Sequence, residues 1–286
     1  MISPFISYAG SKRSLLNWLY KYFPREAKVY VEPFAGTGVV SLLKPTKTKL
    51  DVLNDINEDV INMLKCIRDD TERFAEYVLF TPIYYKDYEE YKRLAKEGKG
   101  EFVRAVNYLL YLLTTAPFVK RDEKFLWVWV KDKSDKGKER ECDIRATKDQ
   151  VVESIKEMGI RFRNTVFISV DYENVVRSYD KKGVFFYLDP PYPNSVIGVK
   201  DKTKGFDYER LLNVVLGIKN DFLLSLGYGE KNEEAKEIVM RFANKLEVVD
   251  KLVRTSCIGM QKRTFVEYLF TGKSTKSIPV YVKTLF

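Results

Sequence analysis

The chain has 286 residues, 45% of them hydrophobic, a formal net charge of +9 and no histidine. Such a composition builds a full core and argues against disorder, while the lack of histidine removes Ser-His and Cys-His nucleophilic chemistry and histidine-based metal sites. Acid–base work must fall to carboxylates, Tyr, Lys or the backbone. No apolar run is long enough for a transmembrane helix, and residues 1–12 lack the basic-then-apolar pattern of a secretory signal. Cys66, Cys142 and Cys257 have no paired spacing for a disulfide framework or a zinc site, which points to a reducing, intracellular (cytoplasmic) setting. The positive charge fits either a Lys-rich surface or an anionic partner, most often nucleic acid. The two glutamines amid many Lys, Glu and Tyr fit a hot habitat or an AT-rich genome.

In chain order, 5–24 begins Phe5-Ile6-Ser7-Tyr8-Ala9-Gly10-Ser11-Lys12 and turns helical, with Leu15, Leu16, Leu19 and Tyr22 or Phe23 at helical spacing. Ser11 or Ser14 is placed to cap that helix and Pro24 to stop it. Residues 28–32 read as a short strand, 33–38 as a tight turn and 39–44 as a brief helix. A second strand, 50–53, ends in Asn54-Asp55-Ile56-Asn57. Asn57 reads as an N-cap, with Asp59 in the first turn of a helix through Val60, Ile61, Leu64 and Ile67. Strand, glycine turn, helix and a strand with an acidic tip form the opening half of a doubly wound α/β fold.

Residues 71–115 read as helices, two of them separated by Gly98-Lys99-Gly100; 125–130 is strand-like, and 131–140, dense in both charge signs, reads as an exposed loop. Thr147 can cap a helix through Val151, Val152, Ile155 and Met158, with Gly159 at its end. The stretch 66–160 thus reads as a mostly helical insertion into a sheet domain formed by 1–65 and 161–286. Beyond it, 165–170 is a strand ending in Asp171-Tyr172, and the apolar 184–188 is a buried strand ending in Asp189-Pro190-Pro191-Tyr192. Phe206-Asp207-Tyr208 starts a helix. A strand at 221–226, a helix at 232–244 and strands at 246–253 and 264–270 follow, the last two joined by a loop at 254–263.

Two constellations carry chemistry. In Phe34-Ala35-Gly36-Thr37-Gly38 the glycines let the backbone approach a ligand and leave the next helix start open toward it. A dinucleotide fingerprint would need a third glycine at 41, which is Ser41. The lead-in Glu32-Pro33 points instead to a nucleoside sulfonium cofactor, which welcomes a negative residue and has no pyrophosphate. Asp55, nineteen positions after Gly36, suits hydrogen bonds to ribose hydroxyls; its plainer role is a helix cap. Asp171 can accept from an adenine amino group or cap a helix.

The second constellation is Asp189-Pro190-Pro191-Tyr192. An exocyclic aromatic amine is a poor nucleophile because its lone pair is delocalised into the ring. Two acceptors aimed at its hydrogens favour a more tetrahedral nitrogen and stabilise charge that develops during attack. Asp189 can supply one acceptor and the Pro190 carbonyl the other, Pro191 keeps Pro190 extended, and Tyr192 offers a stacking face. The plain alternative is a Pro-rich turn after a strand.

On these residues the chain resembles the Dam-type (D12 class) DNA adenine-N6 methyltransferases. The resemblance rests on 8–15 (Tyr8-Ala9-Gly10-Ser11-Lys12-Arg13-Ser14-Leu15), 31–38 (Val31-Glu32-Pro33-Phe34-Ala35-Gly36-Thr37-Gly38), Asn54-Asp55-Ile56-Asn57, Asp171-Tyr172 and Asp189-Pro190-Pro191-Tyr192. It implies a doubly wound, Rossmann-like methyltransferase fold with an inserted target-recognition domain, S-adenosylmethionine as methyl donor and no metal. It implies that Tyr8, Ala9, Lys12, Phe34, Gly36, Gly38, Asp55, Ile56, Asp171 and Tyr172 surround that donor, and that Asp189, Pro190, Pro191 and Tyr192 surround the target adenine. That adenine must be flipped out of the DNA duplex for its amine to be reached, and Phe206, in the segment after the motif, is a further candidate to hold the ring. Tyr172 stands where the family commonly has Phe, and the insertion matches only loosely, so no recognition sequence carries over.

Basic residues of the insertion fit a nucleic-acid surface, Lys120, Arg121, Lys124, Arg140 and Arg145 among them, as does Arg263 near the C-terminus; a solvated mixed-charge loop is the plain alternative. A hairpin over 118–130 would bring Lys120, Arg121 and Lys124 near its tip, where Arg can read guanine. An RNA or cytosine-N4 amino-methyltransferase, and a catalytically silent DNA-binding protein on the same fold, are the alternatives; Asp189 favours adenine over cytosine. A cognate restriction endonuclease acting on the same site, a regulatory role and a viral origin stay open.

Overall fold

The computed structural model describes residues 12–83, 87–114, 130–131, 139–140, 148–193, 205–258 and 261–272. Its elements, in chain order, are α1 (Leu16–Leu19), β1 (Val29–Glu32), α2 (Val39–Leu43), β2 (Leu50–Asn54), α3 (Glu58–Asp69), α4 (Thr71–Phe80), α5 (Tyr88–Glu97), α6 (Glu101–Thr114), β3 (Val130–Lys131), β4 (Glu139–Arg140), α7 (Lys148–Arg161), β5 (Thr165–Ile168), α8 (Tyr172–Tyr179), β6 (Val184–Leu188), α9 (Tyr208–Leu216), β7 (Asp221–Gly229), α10 (Glu233–Lys245), β8 (Glu247–Ile258) and β9 (Gln261–Thr271). Two compact units divide the chain at 56/57 and 163/164, where the sequence suggested 65/66 and 160/161.

The first unit contains the sheet, in the order β5-β2-β1-β6-β7-β9-β8. β5, β2, β1, β6 and β7 run parallel, and β9 pairs antiparallel with both β7 and β8. The chain builds outward from β1 to β2 and β5, then returns to build outward through β6 and β7. The order therefore reverses between β1 and β6, and ligands of open α/β sheets bind beyond the strand ends at such a point.

The sequence explains this layering. β6 reads Val-Phe-Phe-Tyr-Leu and is buried at all five positions, as a parallel strand covered on both faces requires. Its side chains alternate. Phe185 and Tyr187 join Tyr30 and Phe23 in an aromatic cluster on one face, with Phe23 at 5.2 Å from Phe185 and 5.5 Å from Tyr187. Val184, Phe186 and Leu188 join Val31, Val175, Leu211, Val215, Val239 and Phe242 in the other core. Full burial of such side chains contributes roughly 1.5–3 kcal/mol each.

The second unit is mostly helical: α3 packs on α6 and α7, α5 on α6, and α4 on α7. Asn57 caps α3 by accepting from the Asp59 N–H, as the sequence suggests. Gly159 does not end its helix, contrary to the sequence-based expectation. α7 continues to Arg161, and the glycine is there for space: a Cβ would come 2.1 Å from Thr71 Oγ1.

Two further expectations are corrected in the sheet unit. Residues 254–263 are not one loop; β8 reaches Ile258 and β9 starts at Gln261, with Arg254 opposite Phe265 and Cys257 opposite Lys262. Their polar composition suits an edge hairpin. Ser14 lies inside a short 3-10 turn (Arg13–Leu15) and does not cap it, and Ser11, the other candidate, lies outside the described residues. That segment is instead tied to the sheet edge by Trp18 Nε1, which donates to Asp250 Oδ2 at 2.7 Å.

Candidate active site

β1 ends in Glu32 and β6 in Leu188, on the two sides of the topological switch, so the glycine turn and the Asp189 segment emerge side by side from adjacent strands. After β1, Gly36 and Gly38 hold φ of 52° and 71°, a region that suits glycine. Asp55 follows β2 and accepts from the Gly36 N–H at 2.8 Å, while the N-cap of α3 is Asn57. The buried Asn54 side chain donates to the Pro33 and Val170 carbonyls and accepts from the Val170 N–H, fixing three strand tips together.

Aromatic side chains line the neighbouring surface. Phe34 lies 5.0 Å from Tyr172 and 6.1 Å from Phe206, and Phe206 lies 5.0 Å from Tyr208, ring centroid to centroid. Phe206 thus packs with rings beside the glycine turn. The Tyr172 hydroxyl is buried without a hydrogen-bond partner among the described residues, and burial pushes its pKa up to about 12. Ile56, 74% exposed, offers an apolar surface next to Asp55. Asp171 caps α8 through the Glu173 N–H, and its carboxylate is also gripped by Arg210 at 2.6 Å and 3.1 Å. Glu32 is buried and accepts from the Tyr30 hydroxyl at 2.8 Å; burial raises its pKa well above the usual range, favouring the neutral acid.

The Asp189 carboxylate is mostly buried and receives two donors on the same oxygen. Lys12 Nζ lies 2.7 Å from Oδ1, and Ser225 Oγ donates to Oδ1 at 2.9 Å. Among the described residues, Oδ2 keeps its acceptor capacity. Burial pushes the Asp189 pKa up, and the Lys12 charge and hydrogen bonds from Lys12 and Ser225 oppose it. The Tyr208 hydroxyl donates to the Pro191 carbonyl at 3.0 Å and so holds the double-proline backbone.

Tyr192 is equally constrained. The Lys12 ammonium lies 4.3 Å from its ring centroid. Its hydroxyl donates to Glu267 Oε2 at 2.6 Å, and Arg254 pairs with Glu267 Oε1 at 2.9 Å. Burial and the Glu267 charge both push the Tyr192 pKa far up, so the phenol stays protonated.

The structure therefore brings Asp189, Pro190, Pro191 and Tyr192 together with Lys12, and sets Phe34, Gly36, Gly38, Asp55, Ile56, Asp171 and Tyr172 along the tips of β1, β2 and β5. Lys12 contacts Asp189, where the resemblance had suggested only the cofactor. Tyr8, Ala9, Lys120, Arg121, Lys124 and Arg145 lie outside the described residues; Arg140 and Arg263 lie on β4 and β9, with their side chains outside the description. Sequence reasoning missed Ser225, Gly227, Glu267, Arg210 and the Arg254 ion pair. Only Gly227 had a local signal, since a glycine within a strand marks close approach of another group. No cluster of metal-ligating side chains occurs among the described residues.

A family model described as "D12 class N6 adenine-specific DNA methyltransferase" matches residues 8–252. The type II methyltransferase M.MjaIII of Methanocaldococcus jannaschii is 26% identical over 202 residues, covering 67% of this chain and 69% of the relative. The type II methyltransferase M1.LlaDCHI of Lactococcus lactis subsp. cremoris is 27% identical over 198 residues, with 67% and 66% covered. The DNA adenine methylase of Haemophilus influenzae is 25% identical over 198 residues, with 66% and 63% covered. The match thus falls just short of two thirds of the latter two proteins.

Proposed function

The chain belongs to the D12 class N6 adenine-specific DNA methyltransferase family, and we infer from that membership and from the site that it is a site-specific DNA adenine methyltransferase, acting on N6 of an adenine flipped out of duplex DNA with S-adenosylmethionine as donor. The observation that carries the reading is Asp189, an acid at the switch point whose Oδ1 is held by Lys12 and Ser225, while among the described residues Oδ2 keeps its acceptor capacity for an incoming amine. Flipping is required because the amine of a stacked, paired adenine is out of reach.

The residues fit the donor. Gly36 and Gly38 admit a close backbone approach, and Asp55 has the acceptors for ribose hydroxyls. Ile56 and Phe34 give apolar cover, and the unpartnered Tyr172 hydroxyl is a polar atom that a ligand can satisfy. Asp171 can share its carboxylate between Arg210 and an adenine amino group. When bound, the donor supplies an electrophilic methyl carbon, whose bond to sulfur breaks as the N6 lone pair forms the new C–N bond.

The chain's own groups prepare the amine. Asp189 Oδ2 and the Pro190 carbonyl accept its two hydrogens and stabilise the positive charge that grows on nitrogen. The Lys12 charge opposes the burial that pushes the Asp189 pKa up, and the ionised acid can take up the proton that N6 loses. Tyr192 stacks on the base.

The helical unit is proposed as the target-recognition domain. Lys120, Arg121, Lys124, Arg140, Arg145 and, on β9, Arg263 would contact DNA, and binding would then weaken steeply with salt. The type II names of two relatives support a cognate restriction endonuclease with the same target sequence. The test is incubation of the protein with labelled donor and unmethylated genomic DNA, followed by digestion to nucleosides. N6-methyl-2′-deoxyadenosine is expected, and Asp189→Ala should lower its yield by about 10²-fold or more. Labelled N4-methyl-2′-deoxycytidine, or a preference for RNA, would refute the assignment.

A further inference from the structure

We propose that Glu267 is a positioning residue for transfer: its buried carboxylate, bonded to the Tyr192 hydroxyl, sets the plane of the Tyr192 ring and makes that ring a better partner for a positively charged base. This rests on the proposed function and extends it to a residue 75 positions from Tyr192.

The side chain of Glu267 is only 4% exposed. A buried carboxylate is costly unless its oxygens are used, and here each oxygen has one task. Oε1 faces Arg254 at 2.9 Å and Oε2 accepts the Tyr192 hydroxyl at 2.6 Å. The arginine pairs with the acid and the acid grips the tyrosine. The sheet is shaped around this contact. Gly227 on β7 stands opposite Glu267 on β9. A Cβ there would come 3.0 Å from Tyr192 Cε2, 3.0 Å from Glu267 Oε2 and 2.6 Å from the Val266 carbonyl. The strand has thus left out a side chain where the ring and the acid meet.

The Lys12 ammonium covers one face of the ring at 4.3 Å, so the base stacks on the other. A phenol that donates to a carboxylate has a more electron-rich ring, and an electron-rich face attracts cationic charge. Positive charge grows on the adenine as N6 acquires the methyl group. The contact therefore strengthens on going to the transition state, which is the condition for raising the rate rather than the affinity.

Four proteins test this: the wild type, Tyr192→Phe, Glu267→Gln and the double variant. Single-turnover methyl transfer is measured with enzyme in excess over unmethylated genomic DNA, alongside KM for DNA and donor and the melting temperature. Tyr192→Phe keeps the ring and removes only the hydroxyl, so it stands even if Glu267→Gln folds poorly. Loss of a hydrogen bond to a charged group predicts a rate roughly tenfold lower in each single variant, with both KM values within twofold. The double variant should be no slower than the slower single one, because the two residues act as one unit. A Tyr192→Phe enzyme at the wild-type rate, or losses that multiply in the double variant, would overturn the positioning role. A drop in melting temperature in Glu267→Gln while Tyr192→Phe transfers normally would assign Glu267 to Arg254 alone and overturn it equally. A wild type that transfers no methyl group would overturn the proposed function and this inference together, which separates the two failures.

Discussion

Replacing Lys12 by Met removes a charge from the site while nearly preserving volume, and its effects should depend on pH. The Lys12 and Asp189 side chains are 6% and 15% exposed, with Nζ 2.7 Å from Oδ1. At that distance the attraction is about 6 kcal/mol at an effective dielectric of about 20, before desolvation is counted. Removing one partner of a buried pair costs about 3–5 kcal/mol, mostly as the penalty of an uncompensated charge. Asp189 can escape part of that penalty by taking a proton. Burial already pushes its pKa up, and the Lys12 charge is the main opposition; without Lys12 the pKa rises further. The protonated acid is stable in the fold at low pH, and this stability is lost as pH rises through the folded pKa. The melting temperature of Lys12→Met should therefore lie furthest below that of the wild type at alkaline pH, and the gap should close as pH falls below the wild-type Asp189 pKa. A loss of about 3 kcal/mol corresponds to roughly 6–12 °C for a domain of this size. Transfer needs the ionised acid, so the acid limb of the pH–rate profile should move to higher pH. Where Asp189 is protonated the rate should fall by about 10²-fold or more. Thermal melts and single-turnover rates between pH 5 and 9 read both effects. An unmoved acid limb together with a pH-independent melting gap would refute the coupling of Lys12 to Asp189.

Three other substitutions probe different parts of the molecule. Gly227→Ala forces a Cβ to within 2.6 Å of the Val266 carbonyl, so a loss of about 1–3 kcal/mol should accompany slower transfer; a melting temperature equal to that of the wild type would show that β7 and β9 separate freely. Asp55→Ala leaves the Gly36 N–H without its acceptor and removes the proposed ribose contact. Calorimetry with S-adenosylhomocysteine should show binding weaker by roughly 10–100-fold with DNA affinity retained, and unchanged binding would exclude that contact. Gly159→Ala should destabilise the helical unit even though alanine gains about 1 kcal/mol of helix propensity, because three atoms of Thr71 lie within 2.9 Å of the new Cβ. The loss should shrink in a Thr71→Ala background, and an equal loss in both backgrounds would place its cause elsewhere.

The parts of the site that sequence reveals are those built from neighbours along the chain. Asp189 to Tyr192 is one strand end, Gly36 and Gly38 one turn, and Asp55 the tip of the next strand, so hydrophobic runs and turn chemistry suffice to find them. Ser225 and Glu267 carry no such mark. Each is a polar residue inside an apolar strand, and only the register of β6 with β7, and of β7 with β9, brings them to Asp189 and Tyr192. Asp171 offered two local roles, but its partner Arg210 lies 39 residues on, in the first turn of α9. Residues 254–263 read as a loop because their polar side chains resemble loop composition, yet in an edge hairpin polarity is compatible with pairing. Gly159 read as a helix end because it sits near one, while its true cause is the crowding by Thr71 on another helix.

The distribution of charge has the same origin. The two acids beside the double proline, Asp189 and Glu267, are each matched by a cation from a distant segment. Lys12 comes from the N-terminal turn and Arg254 from the edge strand. The short motif supplies an acceptor and a ring, but whether the acceptor is ionised and how the ring is aimed are decided by residues far from it in sequence. A motif transplanted without Lys12, Ser225, Gly227 and Glu267 would keep its four side chains and lose the conditions under which they act.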